Sequence, residues 1–181
     1  MKKILLVTLL ALSATTVQAA DNFGKIEYAF RDIDGDAPNK NGLNLTVGHK
    51  FNPSWAIDGK AEIRVENGTE SVSNRLELGT TYSEKNLFVR GSVGEKFKEG
   101  SSFAYYTVEP GAKFDLTKDL KLIGSYRYRN AFNTSNDDET HRAQIGAEYS
   151  LDKTSAVTAS VGRSWGDTQY NSVNVGYKVN F

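Results

Sequence analysis

The sequence predicts an all-β fold, a closed antiparallel transmembrane barrel of about ten strands preceded by a cleaved signal peptide. Three observations predict it. The chain ends on Val173–Asn174–Val175–Gly176–Tyr177–Lys178–Val179–Asn180–Phe181, where every odd position is apolar and every even one is small or polar. That alternation is the signature of a strand with one face in an apolar medium and the other in a polar one. The same period recurs from Lys25 onward, and an apolar leader precedes it.

The leader comes first in order. Lys2 and Lys3 form a basic start, Ile4 to Leu12 an apolar stretch, and Val17–Gln18–Ala19 a small-x-small cleavage pattern, which together read as a secretory signal over 1–19. The stretch is too short and wrongly flanked for a spanning helix. The single domain expected over 20–181 then loses two lysines and becomes slightly acidic, so no nucleic-acid partner is expected. The chain is 39% hydrophobic, holds nine Tyr and nine Phe and has a mean hydropathy of −0.48. A barrel explains this combination, because alternation dilutes its lipid-facing residues. With no cysteine, disulfides and thiolate metal sites are excluded.

The strands follow in sequence. The first, from about Lys25 to Asp32, sets Ile26, Tyr28 and Phe30 against Lys25, Glu27, Ala29 and Arg31. The second, Gly42 to Phe51, sets Leu43, Leu45, Val47 and Phe51 against Asn44, Thr46, Gly48 and Lys50, and the turn Asn52–Pro53–Ser54 ends it. The third alternates Trp55, Ile57, Gly59, Ala61, Ile63 and Val65 with Ala56, Asp58, Lys60, Glu62, Arg64 and Glu66, so one face is almost wholly charged. In the fourth (Ser73 to Tyr82), Leu76, Leu78 and Tyr82 oppose Arg75 and Glu77; in the fifth (Leu87 to Glu95), Leu87, Val89 and Val93 oppose Arg90 and Ser92. The sixth (Phe103 to Phe114) sets Tyr106, Val108, Pro110, Ala112 and Phe114 against Thr107, Glu109, Gly111 and Lys113. Pro110 in mid-strand cannot donate to a ladder and marks an edge or a bulge.

The seventh strand (Leu120 to Tyr128) places Leu122, Gly124, Tyr126 and Tyr128 opposite Lys121, Ser125, Arg127 and Arg129. The eighth (Thr140 to Leu151) places Ala143, Ile145, Ala147 and Tyr149 opposite Arg142, Gln144, Gly146 and Glu148; the ninth (Ser155 to Trp165) shows Val157, Ala159, Val161 and Trp165. Connections alternate in length. Asn52–Ser54, Ser83–Asn86, Asp115–Asp119 and Asp152–Thr154 are short, whereas Ile33–Asn41, Asn67–Val72, Phe97–Ser102 and Ala131–Glu139 are longer and polar, the rhythm of periplasmic turns and external loops. Aromatics form two belts, Phe51, Trp55, Tyr82, Phe114, Tyr149 and Phe181 beside the short turns and Phe30, Tyr106, Tyr126, Tyr128 and Trp165 near the loops. A soluble sandwich needs neither two belts nor a charged second face.

The charged face is the candidate site. Its expected pore-lining residues are Arg64, Arg75, Arg90, Lys113, Arg127, Arg129, Arg142, Glu62, Glu77 and Glu109, within a roughly two-to-one excess of inward cations over acids. Enclosed charges must pair or stay hydrated. The interior is therefore either a salt-bridged plug or a field for anionic solutes, since guanidinium groups hold carboxylates bidentately. Ten strands permit at most a narrow passage. Inward Gly48, Gly79, Gly94, Gly111, Gly146, Gly162 and Gly176 either leave room in it or relieve curvature.

The aromatic terminus resembles the closing strand of bacterial outer-membrane barrels. At Tyr126–Arg127–Tyr128–Arg129–Asn130–Ala131–Phe132 and at Val161–Gly162–Arg163–Ser164–Trp165–Gly166 the sequence resembles the oligogalacturonate-specific porin family. That resemblance, carried mainly by the C-terminal third, implies an outer-membrane location and an arginine-lined pore for acidic oligosaccharides. Its expected partners are the lipid bilayer, lipopolysaccharide, small anionic solutes and the barrel assembly machinery, reached through the strand ending in Phe181. The alternative is a non-conducting structural or adhesion barrel with a salt-bridged interior.

Catalysis, cofactors and metals are not expected. His49 faces outward near a short turn, and His141 lies beside Asp137, Asp138 and Glu139, read as a surface loop; a general base needs a partner and a cleft. Asp32–Ile33–Asp34–Gly35–Asp36 lacks the downstream glutamate of a calcium loop. It reads as a solvated turn.

Overall fold

The computed structural model describes residues 21–33, 39–66, 72–98, 100–133, 135, 136 and 138–181. The signal segment 1–19, Asp34–Asp36 and the loop 67–71 lie outside them. Ten strands run in chain order: β1 (Asn22–Ile33), β2 (Lys40–Lys50), β3 (Trp55–Glu66), β4 (Val72–Glu84), β5 (Leu87–Lys98), β6 (Ser101–Asp115), β7 (Leu120–Ala131), β8 (Thr140–Ser150), β9 (Ser155–Gly166) and β10 (Tyr170–Asn180). Each pairs antiparallel with its neighbours, and β10 closes on β1 from Phe23↔Asn180 to Ile33↔Tyr170. Closure leaves no open edge in a medium that cannot hydrogen-bond one. The start of β1 and the carboxy-terminal Phe181 meet at one end, where Asn22 N donates to Phe181 O (3.1 Å) and Phe181 N to Asn22 O (2.9 Å).

Parity decides the faces. Apolar side chains such as Ile26, Leu43, Leu78, Val93, Ile145 and Val175 point outward, whereas Asn44, Asp58, Glu62, Ser92, Thr107 and Asn174 are buried inside. The core of this protein is polar and its surface greasy, as a barrel in lipid requires. Phe51, Trp55, Tyr82, Phe114, Tyr149 and Phe181 form the belt at the terminus end. At the other end Tyr126, Tyr128, His141 and Trp165 interlock, with the His141 and Trp165 rings stacked at 5.8 Å and 12°.

The short turns are closed by local chemistry. Asn52 Oδ1 accepts from Ser54 N and Trp55 N, both at 2.9 Å, and Thr117 Oγ1 accepts from Asp119 N and Leu120 N. The Asp152 carboxylate accepts from the Ser155 and Thr154 hydroxyls and backbone N–H groups, and these bonds hold its pKa well below the usual range. Between β4 and β5, Lys85 takes φ 53°, the left-handed geometry of a two-residue hairpin.

Two expectations need correction. The connection Phe97–Ser102 is no long loop: β5 and β6 pair up to Lys98↔Ser101, around Gly100 at φ 74°. β5 runs three residues past its expected outer end and β6 starts two residues earlier, and Lys96, with an interior partner, continues the alternation. Pro110 produces neither an edge nor a bulge. The β6–β7 register is unshifted from Tyr105↔Ala131 to Asp115↔Lys121, with only Glu109 and Pro110 unpaired toward β7. Those are the two pairings that need an N–H at position 110.

Candidate functional site

The site is the charged interior. All ten expected lining residues are inward-facing: Glu62, Arg64, Arg75 and Glu77 on β3 and β4, Arg90 on β5, Glu109 and Lys113 on β6, Arg127 and Arg129 on β7, and Arg142 on β8. Glu62 gathers three cations. Arg64 holds both its oxygens (Nε–Oε1 2.6 Å, Nη2–Oε2 2.7 Å), Arg31 donates to Oε1 at 2.5 Å, and Arg75 stands 3.8 Å away. The charged, forked bonds explain how such a carboxylate stays buried at 5% exposure.

Glu77 is the second hub. Arg90 Nη1 donates to its Oε1 at 2.6 Å, while Arg127 Nη2 and the Tyr105 hydroxyl donate to Oε2 at 2.5 and 3.1 Å. Arg90 also reaches over β4 to Asp58 on β3, with Nε–Oδ1 3.0 Å and Nη2–Oδ2 2.6 Å. It crosses directly above Gly79, where an added Cβ would lie 2.4 Å from Nη2. Gly79 therefore neither opens the lumen nor merely relieves curvature; it clears the path of a guanidinium. Under Gly48, Gly94 and Gly111 the space is taken by the rings of Phe23, Tyr105 and Phe88.

A third cluster was invisible to the strand pattern. Asp138, in the segment between β7 and β8, is 2% exposed rather than on the surface. Its carboxylate is gripped by Arg129 (Nη2–Oδ1 2.8 Å, Nε–Oδ2 2.6 Å) and Lys96 (Nζ–Oδ1 3.0 Å). Burial works against its ionised form, but these two cations outweigh that and lower its pKa. Lys96 and Tyr105 could have been found by extending the alternation past Glu95 and before Tyr106. Asp138 offered no such signal.

The rest of the expected set is not brought together. Arg142 donates to Ser172 Oγ at 3.0 Å, Lys113 lies 4.8 Å from the Phe88 ring centre, and no ion pair joins Arg142, Lys113, Lys60 or Glu109 to another described residue. Arg163, within one of the arginine-bearing segments, points outward from β9 and meets Asn171 at 3.1 Å. Both histidines face outward too. His49 meets Asn22 at 2.9 Å and His141 hydrogen-bonds Tyr126 at 2.6 Å.

Four spaces follow one another along the axis. A mouth of about 410 Å³ at the loop end is lined by Arg31, Lys40, Arg64, Arg75, Lys96, Lys98 and Arg129 against Glu66. It narrows to about 20 Å³ among Arg31, Glu62, Arg64, Arg75, Arg127, Arg142 and Tyr170, room for about one water. Beyond lies a chamber of about 270 Å³ with Lys60, Arg90, Glu109, Arg127 and Arg142. Phe23 separates it from a mouth of about 430 Å³ at the turn end, bordered by Lys50, Lys85, Lys113 and Lys178.

A strand-closed wall with a greasy outside and a charged axis defines a membrane barrel. The chain belongs to the outer membrane protein beta-barrel domain family, whose model matches residues 4–181. It lies in the bacterial outer membrane, with lipid against its outward face. Among solved structures it is similar to the KdgM porin in complex with disordered oligogalacturonate (17% identity, 87% of this chain and 99% of that one, TM-score 0.52). It is also similar to the translocator domain of the autotransporter NalP from Neisseria meningitidis (12% identity, 99% and 96%, TM-score 0.55). An outer membrane channel from Pseudomonas putida F1 shares 12% identity over 92% of this chain and 97% of that one, with a TM-score of 0.52. At these identities the likeness is one of fold. No curated protein matches the chain.

Proposed function

We propose that this barrel is a small porin-like channel for small anionic solutes, with the neck around Glu62 as its selective point. The observation that carries the reading is the row of spaces from mouth to mouth, in which cations outnumber acids at the loop-end mouth, at the neck and at the turn end. The ion pairs do not use up that excess, since Lys60 and Arg142 face the chamber without an acid partner. A low-dielectric wall around them strengthens their pull on an anion. The small space among the Glu62 cluster, about 20 Å³, supports a small solute. An acidic oligosaccharide, the class the porin resemblance suggests, passes only if the Glu62 cluster rearranges.

Reversal potentials of the refolded protein in a planar bilayer, under a potassium chloride gradient, test this. The expected result is anion preference that Arg142→Glu with Lys60→Glu weakens or reverses. A protein that inserts and folds but gives no current overturns the channel. The neck itself favours that second reading, a non-conducting barrel with a salt-bridged interior. In that case Arg75→Glu with Arg127→Glu changes stability and nothing electrical.

A further inference from the structure

Asp138 is the one carboxylate of the described interior that no strand supplies. It is held by two cations that both line the loop-end mouth, Lys96 and Arg129, and Arg129 also lines the neck. Arg129 donates to it once, from Nη2 to Oδ1 at 2.8 Å, and its Nε stands 2.6 Å from Oδ2 as an ion pair, a charge-assisted contact of the kind that binds free carboxylates. Arg75, in register with Lys96, adds a third positive charge beside it. The position is built rather than incidental. Asp167 clamps the adjacent main chain, its carboxylate accepting from Glu139 N at 2.5 Å while its own N–H donates to Glu139 O at 2.9 Å. Gly166 makes that approach possible, at φ 103° with Glu139 O only 2.4 Å from where a Cβ would stand.

We propose that Lys96 and Arg129 form a carboxylate-binding site at the outer mouth, and that Asp138 is its tethered resident, which the carboxylate of an anionic solute displaces to reach the neck. The physical argument is one of competition. A buried pair of cations left without an anion is strongly unfavourable, so the site is never empty: it holds either Asp138 or a group of the same chemistry. A tethered carboxylate has a high effective concentration, which keeps inorganic anions out and sets a threshold for the solute. The strands also fix the two cations independently of Asp138, since Lys96 and Arg129 belong to β5 and β7.

The proposal deepens the channel reading and rests on it for its purpose, but not for its test. Succinate binding to the detergent-folded protein, followed by calorimetry, reads the site directly. Asp138→Ala should bind succinate at least ten-fold more tightly than the wild type, and adding Lys96→Gln should remove most of that gain. Equal affinities in wild type and Asp138→Ala overturn the proposal. Should Asp138→Ala fail to fold, Asp167→Ala decides, because that exposed residue only loosens the clamp: several-fold tighter binding supports the proposal and unchanged binding overturns it. In a planar bilayer, succinate should block Asp138→Ala at lower concentration than wild type. Tighter binding without any current in either protein overturns the channel and leaves the site standing; current with identical block in both overturns the site and leaves the channel.

Discussion

The two halves of the lumen keep their charges in different ways. Toward the loops, Glu62, Glu77 and Asp138 each hold two or three cations, and these three carboxylates expose a tenth or less of their surface. Toward the turns, Lys178 meets Glu148 at 3.1 Å with both partly exposed, Lys113 rests against Phe88, and rings of Phe23 and Phe88 fill the space over glycines. The difference follows from solvent. A charge excluded from water survives only with several hydrogen-bonded partners, whereas a lysine near an open mouth keeps its hydration and needs none. The loop half is therefore where a single lost acid is costly, and the turn half is where charge is free to act on a solute.

The largest expected effect tests that contrast. Glu77→Gln strands Arg127, while Arg90 keeps Asp58, and should cost roughly 3–5 kcal/mol, read as a shift in the urea midpoint of the barrel in lipid vesicles. Glu148→Gln at the turn end should cost at most about 1 kcal/mol. Equal costs would break the comparison.

Next in size is the lipid face. Leu78, outward in mid-strand and 57% exposed, lies where Leu78→Arg should cost roughly 2–4 kcal/mol. Thr46→Arg, directed into the chamber, should cost less. Equal penalties would mean that the two faces do not differ as drawn. A topological test needs no energy at all: with loops outside, a cysteine at Asn133 should react with a membrane-impermeant label on intact cells and one at Asn86 should not.

Much of this was legible in the chain because a barrel writes its faces with the shortest possible period. Along β3 each of Asp58, Glu62 and Arg64 falls on the inner face by counting alone, and the closing partner of β1 follows from an even number of strands. What parity does not give is which charge meets which. Arg90 bonds Asp58 two strands away because Gly79 leaves a gap. Asp138 lay beyond reach for a different reason. It belongs to a connection, where no period applies, and only the fold carries its carboxylate to Lys96 and Arg129 at the mouth's wall.

The smallest predicted effect concerns Pro110, and two opposing terms decide it. Position 110 lacks the N–H that would donate to the Tyr126 carbonyl, and the two β6–β7 pairings depending on that bond are missing while the register around them is intact. Pro110→Ala restores a donor, worth about 0.5–1.5 kcal/mol. It also frees the unfolded chain, which offsets about 0.4–1 kcal/mol of that gain. The net change in unfolding free energy should thus stay within about 1 kcal/mol, so stability is a poor readout. Hydrogen exchange is the better one. If the ladder is interrupted only for want of a donor, the new amide at position 110 should exchange as slowly as its neighbours in β6. A fast amide there would mean that β6 and β7 are held apart at this level by something other than proline, and that the wall facing Arg127 and Glu109 is looser than the register implies.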